Sequence, residues 1–427
     1  MKILWFTNSP CGSIKRNPAL TVKSGGWLIS LEAEIKKEKN IQLEVAYFSD
    51  KHEKSFAFEN VKYYPMCRNK FDASKGLSRI RERFIPQKKK DKIALPIMLD
   101  VVRQSQPDII HIHGTEEAFG LLVKYIKDIP IVFSIQGMIA PYREKYFSGI
   151  PKKYAYKFDS LYDKVKGVGI KNLYQSYCYR AEREKQYLSQ ANYIFGRTFW
   201  DRDCTLALNP KRKYYVVNEI LRPEFYKKQW KGFFSNNVIK IVSTISGGIY
   251  KGMETVLKAA CLLKQYGNLK FEWHIAGYTS STKWVRICEK MTGILAKDCN
   301  IVFHGRIDAE PLSDLLCKSD IYVHVSHIEN SPNSVCEAMI LGMPVIASYA
   351  GGTASLLKHE EDGILYQDGD PYVLAGAIIE MQQNPTMAYK YAQTAREHAL
   401  NRHDKKQIVK EVIEGYSDII SNFCIGK

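Results

Sequence analysis

The 427 residues contain no run of about 18 consecutive apolar side chains, so no transmembrane helix is expected. The ten cysteines include no C-x-x-C pair. Thiols scattered in this way read as small apolar side chains in a reducing compartment, not as a disulfide frame or a zinc site. The opening MKILWFTNSP is too short for a signal peptide and reads as a first strand. The glycine clusters match neither G-x-G-x-x-G nor G-x-x-x-x-G-K-[ST], which argues against a dinucleotide fingerprint and against ATP hydrolysis. There is no short-period repeat and no low-complexity tract. Apolar residues make up 45% and charged residues 25%, which excludes a disordered or fibrous chain. At this length two or three domains are expected.

What is abundant is positive charge, and it is unevenly placed. The net charge is +17, but residues 1–235 hold 43 basic against 24 acidic side chains, and residues 236–427 hold 19 against 21. A half-molecule field of that size implies an anionic partner. Residues 62–92 place Leu77, Ile80, Phe84 and Ile85 among lysines and arginines, a pattern that fits an anionic membrane surface or, more blandly, a solvated face. Residues 142–187 interleave nine tyrosines with eleven Lys/Arg. No nucleic-acid module signature is present, so a nucleic-acid partner is not expected.

Strand-like runs alternate with helical ones through both halves. Strands are expected at 2–7, 41–48, 107–114, 129–137, 191–198 and 214–220, with helices after Gly26, over 93–106, over 117–127 and across 151–189. Residues 223–237 look like a linker. The pattern restarts with strands at 238–246, 271–278, 300–307, 319–326, 343–348 and 363–367, a helix from Met253 to Leu263 and another at 334–341. Helical sequence then runs to about residue 421. This is the pattern of parallel sheets covered on both faces, and it predicts two doubly wound Rossmann-like domains facing each other across a cleft. The expected domains are 1–225, the linker 226–237, 238–404, and a last helix in 405–427 crossing back to the first domain on Ile408, Val412 and Ile413.

Ligands in such sheets bind beyond the carboxyl ends of the strands. Gly25 and Gly26 open a helix where backbone can approach an anion, although most Gly-Gly pairs are simple turns. Gly247-Gly248-Ile249-Tyr250-Lys251-Gly252 follows a strand, and a lysine there can neutralise a leaving diphosphate or merely be solvated. The strongest constellation is Glu329-Asn330-Ser331-Pro332-Asn333-Ser334-Val335-Cys336-Glu337. Pro332 interrupts it, so Glu329 sits on the loop and Glu337 within the following helix. The N–H groups of Ser331, Asn333 and Ser334 lie at the helix start, where they can meet an anion. Two carboxylates beside an anion site point to a ligand rich in hydroxyls and phosphate, that is, a nucleotide sugar.

The run HIENSPNSVCEAMILGMPVIAS, followed by Gly351-Gly352, resembles the E-x7-E signature of the retaining GT-B glycosyltransferases of family 4 (glycosyl transferases group 1). PDIIHIHG and FSIQG resemble that family's N-terminal domain. Lys251-Gly252, IAGY and VFHGRI resemble its nucleotide-binding domain. The resemblance implies that Glu337 binds the ribose hydroxyls, Glu329 contacts the transferred sugar, and amides near Asn333 and Ser334 hold sugar and phosphate oxygens. It implies that Lys251 stabilises the departing diphosphate, that Gly26 approaches it from the opposite domain, and that Ile307 lies near the nucleobase. No metal or other cofactor is implied for donor binding.

Two positions depart from the family pattern. Ser246 stands where an arginine often precedes the lysine, and Arg197 is a candidate replacement. Gln136 stands where many members carry histidine, and it can hydrogen-bond an acceptor hydroxyl but cannot act as a base. His113 is a further polar candidate, although such a histidine is more often structural. The expected activity is transfer of a hexosyl unit from a UDP- or GDP-hexose to a glycan or lipid-diphosphate glycan in surface-polysaccharide synthesis. The expected location is cytoplasmic, at the inner face of the plasma membrane. A nucleotide-sugar epimerase of the same architecture and a basic nucleic-acid-binding protein are the alternatives.

Overall fold

The structure, a computed structural model, describes residues 1–16, 26–68, 84–232, 238–266 and 269–425. Gly25, Leu77 and Ile80 lie outside the described residues. The chain forms two compact units. The first comprises Met1–Arg143, Asp159–Ile220 and Asp404–Lys427, and the second comprises Glu144–Phe158 and Leu221–His403.

The first unit is built on an eight-stranded sheet of order β3-β4-β2-β1-β5-β6-β7-β8. Its strands are β1 (Lys2–Thr7), β2 (Gln42–Ser49), β3 (Phe56–Phe58), β4 (Val61–Cys67), β5 (Ile109–His113), β6 (Ile131–Ser134), β7 (Tyr193–Gly196) and β8 (Lys213–Val216). All neighbours are parallel except β3 and β4. The central strands are mostly apolar because both faces are covered: every residue of β5 and β6 is buried, His111, His113 and Ser134 included. Each fully buried large side chain contributes roughly 1.5–3 kcal/mol. The hairpin β3–β4 occupies residues that sequence reading left as loop and assigned in part to the basic segment. Val61, Tyr63, Tyr64 and Met66 are buried in it, so 62–67 is sheet and not a membrane-lying stretch. The helix expected at 117–127 is a short 3₁₀ run, Ala118–Lys124.

Helices of nine residues or more are α1 (Gly26–Ile35), α2 (Gln87–Ser105), α3 (Ile170–Leu188), α4 (Phe199–Leu208) and, at the far end of the chain, α11 (Lys405–Ile425). The tyrosine-rich stretch is not one helix over 151–189. It breaks into Lys152–Lys157, Leu161–Val165 and α3. Gly169 precedes α3, and the Asp159 carboxylate caps it by accepting from the amides of Ile170 at 2.8 Å and Lys171 at 3.4 Å. α11 belongs to the first unit and buries Ile408, Val409, Val412, Tyr416 and Ile419 there. Trp5 donates to the Tyr416 hydroxyl at 3.0 Å, which ties this helix to the central strand.

The second unit carries a six-stranded, all-parallel sheet of order β11-β10-β9-β12-β13-β14. Its strands are β9 (Ile239–Thr244), β10 (Phe271–Ala276), β11 (Ile301–Gly305), β12 (Ile321–His324), β13 (Val345–Tyr349) and β14 (Ile364–Gln367). The helices are α5 (Met253–Gln265), α6 (Lys283–Thr292), α7 (Ala309–Cys317), α8 (Asn333–Leu341), α9 (Pro371–Gln383) and α10 (Pro385–Arg402).

Two boundaries differ from the sequence expectation. The supposed linker is partly core: Phe225 and Trp230 are buried in the second unit, and Trp230 donates from its amide to Leu341 and from its ring to Ser319, both at 2.8 Å. The second difference is Glu144–Phe158, expected in the first domain. It packs with the second unit through Tyr146 beside Tyr250, ring centroids 6.1 Å apart, and through Lys290, 5.3 Å above the Phe158 ring. No helix among the described residues is long and apolar enough to cross a membrane.

Candidate active site

The second sheet brings the expected donor residues to one end. Gly247 and Lys251 follow β9, Ile307 follows β11, Glu329 through Pro332 lie between β12 and α8, and Asn333 and Ser334 open α8, with Glu337 in its second turn. These are the carboxyl ends of adjacent strands, where the helix starts also point.

The Lys251 ammonium pairs with the Glu329 carboxylate, and Ser326 donates to the same carboxylate oxygen at 3.2 Å. Burial alone raises the Glu329 carboxyl, but Lys251, with His324, outweighs it and holds the group below its ordinary range. Burial likewise opposes charge on Lys251, yet Glu329 raises its pKa, so the pair is ionised. An ammonium carries three donors, so the bond to Glu329 leaves capacity for anionic oxygens.

Two glycines fix this geometry. Gly252 has a φ of 76°, and a Cβ there would meet the Val325 carbonyl oxygen at 1.9 Å. Gly351 has a φ of 57° and seats equally close to the Glu329 carbonyl, which also accepts from the Gly352 amide at 2.9 Å. The glycine pair after β13 is therefore the mould for the Glu329 backbone. Gly252→Ala is expected to cost at least about 1–3 kcal/mol from the left-handed backbone alone, before the carbonyl clash. A thermal-denaturation comparison checks it; an unchanged melting temperature contradicts the packing.

Glu337 is 2% exposed. Burial raises its pKa, partly offset by Arg222. Arg222 donates to both Glu337 oxygens at 2.7 Å, a bidentate pair from just before the segment read as linker. Sequence reasoning missed Arg222, whose signal was no more than a charged side chain beside Pro223. The loop before Glu329 is braced by His327, whose Nε2 lies 2.6 Å from Glu254 and Nδ1 3.2 Å from Asp368. Burial opposes its protonation, but those two carboxylates push its pKa up to about 9.

The first-unit candidates lie at the carboxyl end of their own sheet: Gly26 opens α1, His113 ends β5, Gln136 follows β6 and Arg197 follows β7. Arg197 is buried, 3.4 Å from Glu219 and 4.4 Å above the Trp27 ring. It is a packed, ion-paired side chain within this unit, and not the free cation that a replacement for the missing arginine calls for. His113 is fully buried against Trp5 at 4.5 Å and His111 at 3.7 Å between ring centroids, and burial holds its pKa well below the ordinary value. His111 lies 2.6 Å from the Ser134 hydroxyl, which completes a polar seam inside the core.

Two parallel α/β units with their sites at the carboxyl strand ends define a GT-B fold. Comparison with solved structures agrees. Sucrose-phosphate synthase from Thermosynechococcus elongatus superposes with a TM-score of 0.69 at 15% identity over 99% of both chains. The Anabaena protein HepE, crystallised with UDP-glucose, superposes with a TM-score of 0.64 at 16% identity over 98% of this chain and all of that one. Residues 236–384 match the family model of the glycosyl transferases group 1. Among curated proteins, an uncharacterized glycosyltransferase of Methanocaldococcus jannaschii is 24% identical over 253 residues, 53% of this chain and 63% of that one. The amylovoran biosynthesis glycosyltransferase AmsK of Erwinia amylovora is 25% identical over 224 residues, 50% of this chain and 54% of that one. The chain thus aligns with rather more than half the length of these relatives.

Proposed function

We propose that this protein is a retaining family 4 glycosyltransferase that moves a hexosyl unit from a nucleotide sugar to a glycan or lipid-diphosphate glycan in surface-polysaccharide synthesis. The observation that carries the reading is the pair of carboxylates at one end of the second sheet, Glu329 half-buried on its glycine-moulded loop and paired with Lys251, and Glu337 buried in α8. In this reading Glu337 accepts from the ribose hydroxyls, and Glu329 and Asn330 hold the transferred sugar. The helix start at Ser331–Ser334 and Lys251 take the diphosphate, with Gly247 approaching it by backbone and Ile307 lying against the base. Lys251 and the helix-start amides supply the positive potential a diphosphate needs, so no metal or cofactor is assigned.

Incubation with a panel of UDP- and GDP-hexoses tests it. Release of free nucleoside diphosphate with a glycosylated acceptor is expected. Conversion of the donor to an isomeric nucleotide sugar contradicts transfer and favours an epimerase.

The acceptor is assigned to the basic first unit, and that unit to the cytoplasmic face of an anionic membrane. Support comes from charge and from side chains exposed beside lysines: Phe84 at 52%, Leu161 at 80% and Val165 at 72%. Co-sedimentation with anionic liposomes at low salt is expected, and is expected to fall as salt rises. A protein that stays in the supernatant with such vesicles at low salt contradicts the membrane assignment.

A further inference from the structure

The loop that carries Glu329 is tied to two neighbouring loops of the second unit through one ring. His327 stands just ahead of Glu329. Its amide donates to the Tyr250 carbonyl at 2.9 Å, next to Lys251, so its backbone links the two sides of the Lys251–Glu329 pair. Its Nε2 lies 2.6 Å from Glu254 Oε1 in the first turn of α5, and its Nδ1 lies 3.2 Å from Asp368 Oδ2, just beyond β14. An ionised carboxylate offers only acceptors, so two of them on one imidazole call for a proton on each ring nitrogen.

The surroundings of the ring are closed. His327 and Glu254 are both buried. Glu254 Oε2 finds no hydrogen-bond partner among the described residues, so the imidazolium is the cation that offsets this buried carboxylate. Gly149, in the Glu144–Phe158 segment of the same unit, has a φ of 78°, and a Cβ there would lie 2.0 Å from Glu254 Oε1 and 2.7 Å from His327 Nε2. On another side, a Cβ on Gly369 would lie 3.0 Å from His327 Cε1. Beyond the two partners, Lys145 acts on Asp368, and Tyr278, Tyr366 and Cys288 lie near Glu254. Burial raises the last three well above their ordinary values, and Glu329 raises Lys251, so His327 is the group here that titrates first on the alkaline side.

We propose that His327 is a positioning residue: its doubly paired imidazolium holds the Glu329 loop and the Lys251 turn in the arrangement that receives the diphosphate, and turnover requires both ring protons. The proposal rests on the glycosyltransferase reading. The ring itself touches no substrate. When it loses a proton, one of its two carboxylates loses its donor, and a buried carboxylate left so is costly enough to shift the loops that carry it. A displacement of about 1 Å at Glu329 or Lys251 is enough to cost on the order of 100-fold in rate. Burial opposes the proton on His327, but Asp368 and Glu254 outweigh it and push the pKa up to about 9. The stabilisation is therefore fully present below the range of an unfolded histidine and is lost as pH rises through the folded value.

The test uses the full chain and whichever of UDP-glucose, UDP-N-acetylglucosamine and GDP-mannose raises its melting temperature most. Release of nucleoside diphosphate is followed from neutral to alkaline pH. The rate of the unaltered protein is expected to fall through a midpoint near pH 9. His327→Gln, which keeps one amide donor, is expected to lower the neutral rate on the order of 10- to 100-fold and to remove that midpoint. Asp368→Asn is the milder variant, because this carboxylate is partly exposed. Removing its charge is expected to move the midpoint down by about 1 pH unit or more. Proton NMR of the imidazole, assigned by its absence in His327→Gln, is expected to show a ring still protonated well above the ordinary histidine range. A midpoint that survives in His327→Gln, one that stays in place in Asp368→Asn, or a ring that titrates in the ordinary range overturns the proposal. A raised ring titration beside turnover with no alkaline midpoint overturns the positioning role alone. If the unaltered protein neither gains stability from nor cleaves any of the three sugars, the glycosyltransferase reading itself fails, and the role of His327 with it.

Discussion

Glu337→Ala is expected to abolish the rise in melting temperature that a nucleoside diphosphate gives the unaltered protein. At a hundredfold excess over Kd, a bound ligand stabilises the folded state by about 2.7 kcal/mol. Two ribose hydroxyls donating to one carboxylate are each worth about 1.5–3 kcal/mol, so their loss lowers affinity by 100-fold or more and removes the effect at the same concentration. The same substitution strips Arg222 of its partner, so the ligand-free melting temperature falls as well. The two effects separate cleanly, because the first is a difference between ligand-bound and ligand-free samples of one variant. Differential scanning fluorimetry with UDP and GDP checks it. A full ligand-induced rise in Glu337→Ala removes the ribose from this carboxylate.

Lys251→Ala is expected to lower turnover by about 10²–10³-fold, the usual effect of deleting one group that stabilises charge at the leaving oxygen. It is also expected to invert the response of stability to acid. In the unaltered protein the Glu329 pKa is held below its ordinary value, so the carboxylate contributes stability above the unfolded pKa, and that stability is lost as pH falls through the folded one. Without the ammonium, burial governs and the folded pKa lies above the unfolded one. The variant then loses stability as pH rises through that raised value. Its deficit against the unaltered protein is therefore larger at pH 7 than at pH 4. Turnover with the preferred nucleotide sugar and denaturation at the two pH values check both parts; equal deficits at pH 4 and pH 7 contradict the pairing.

Both sheets were legible because their central strands are buried on both faces. Runs such as KILWFT, PDIIHIHG and IYVHVS admit little else, and the punctuation by glycine and proline marks their ends. The hairpin Phe56–Cys67 was not legible: Pro65 lies inside β4, and the alternation VKYYPMC sits one strand in from the sheet edge, beside charged sequence. Trp230 and Phe225 read as linker because only tertiary packing against α8 shows that they are core.

At the site, the spacing from Glu329 to Glu337 was visible, since a proline between them forces one onto a loop and the other onto a helix. The partners were not. Arg222 lies 115 residues before Glu337, and Glu254 lies 73 residues before His327, so no local pattern joins them. Arg197 was read for its charge, whereas Trp27 and Glu219 enclose it.

The most direct test is a crystal structure of the protein with the nucleotide sugar that raises its melting temperature most. The account predicts the ribose hydroxyls within hydrogen-bond distance of the Glu337 carboxylate, the diphosphate against Lys251 and the start of α8, and the hexose beside Glu329. A nucleotide seated elsewhere, with Glu337 still paired only to Arg222, contradicts it.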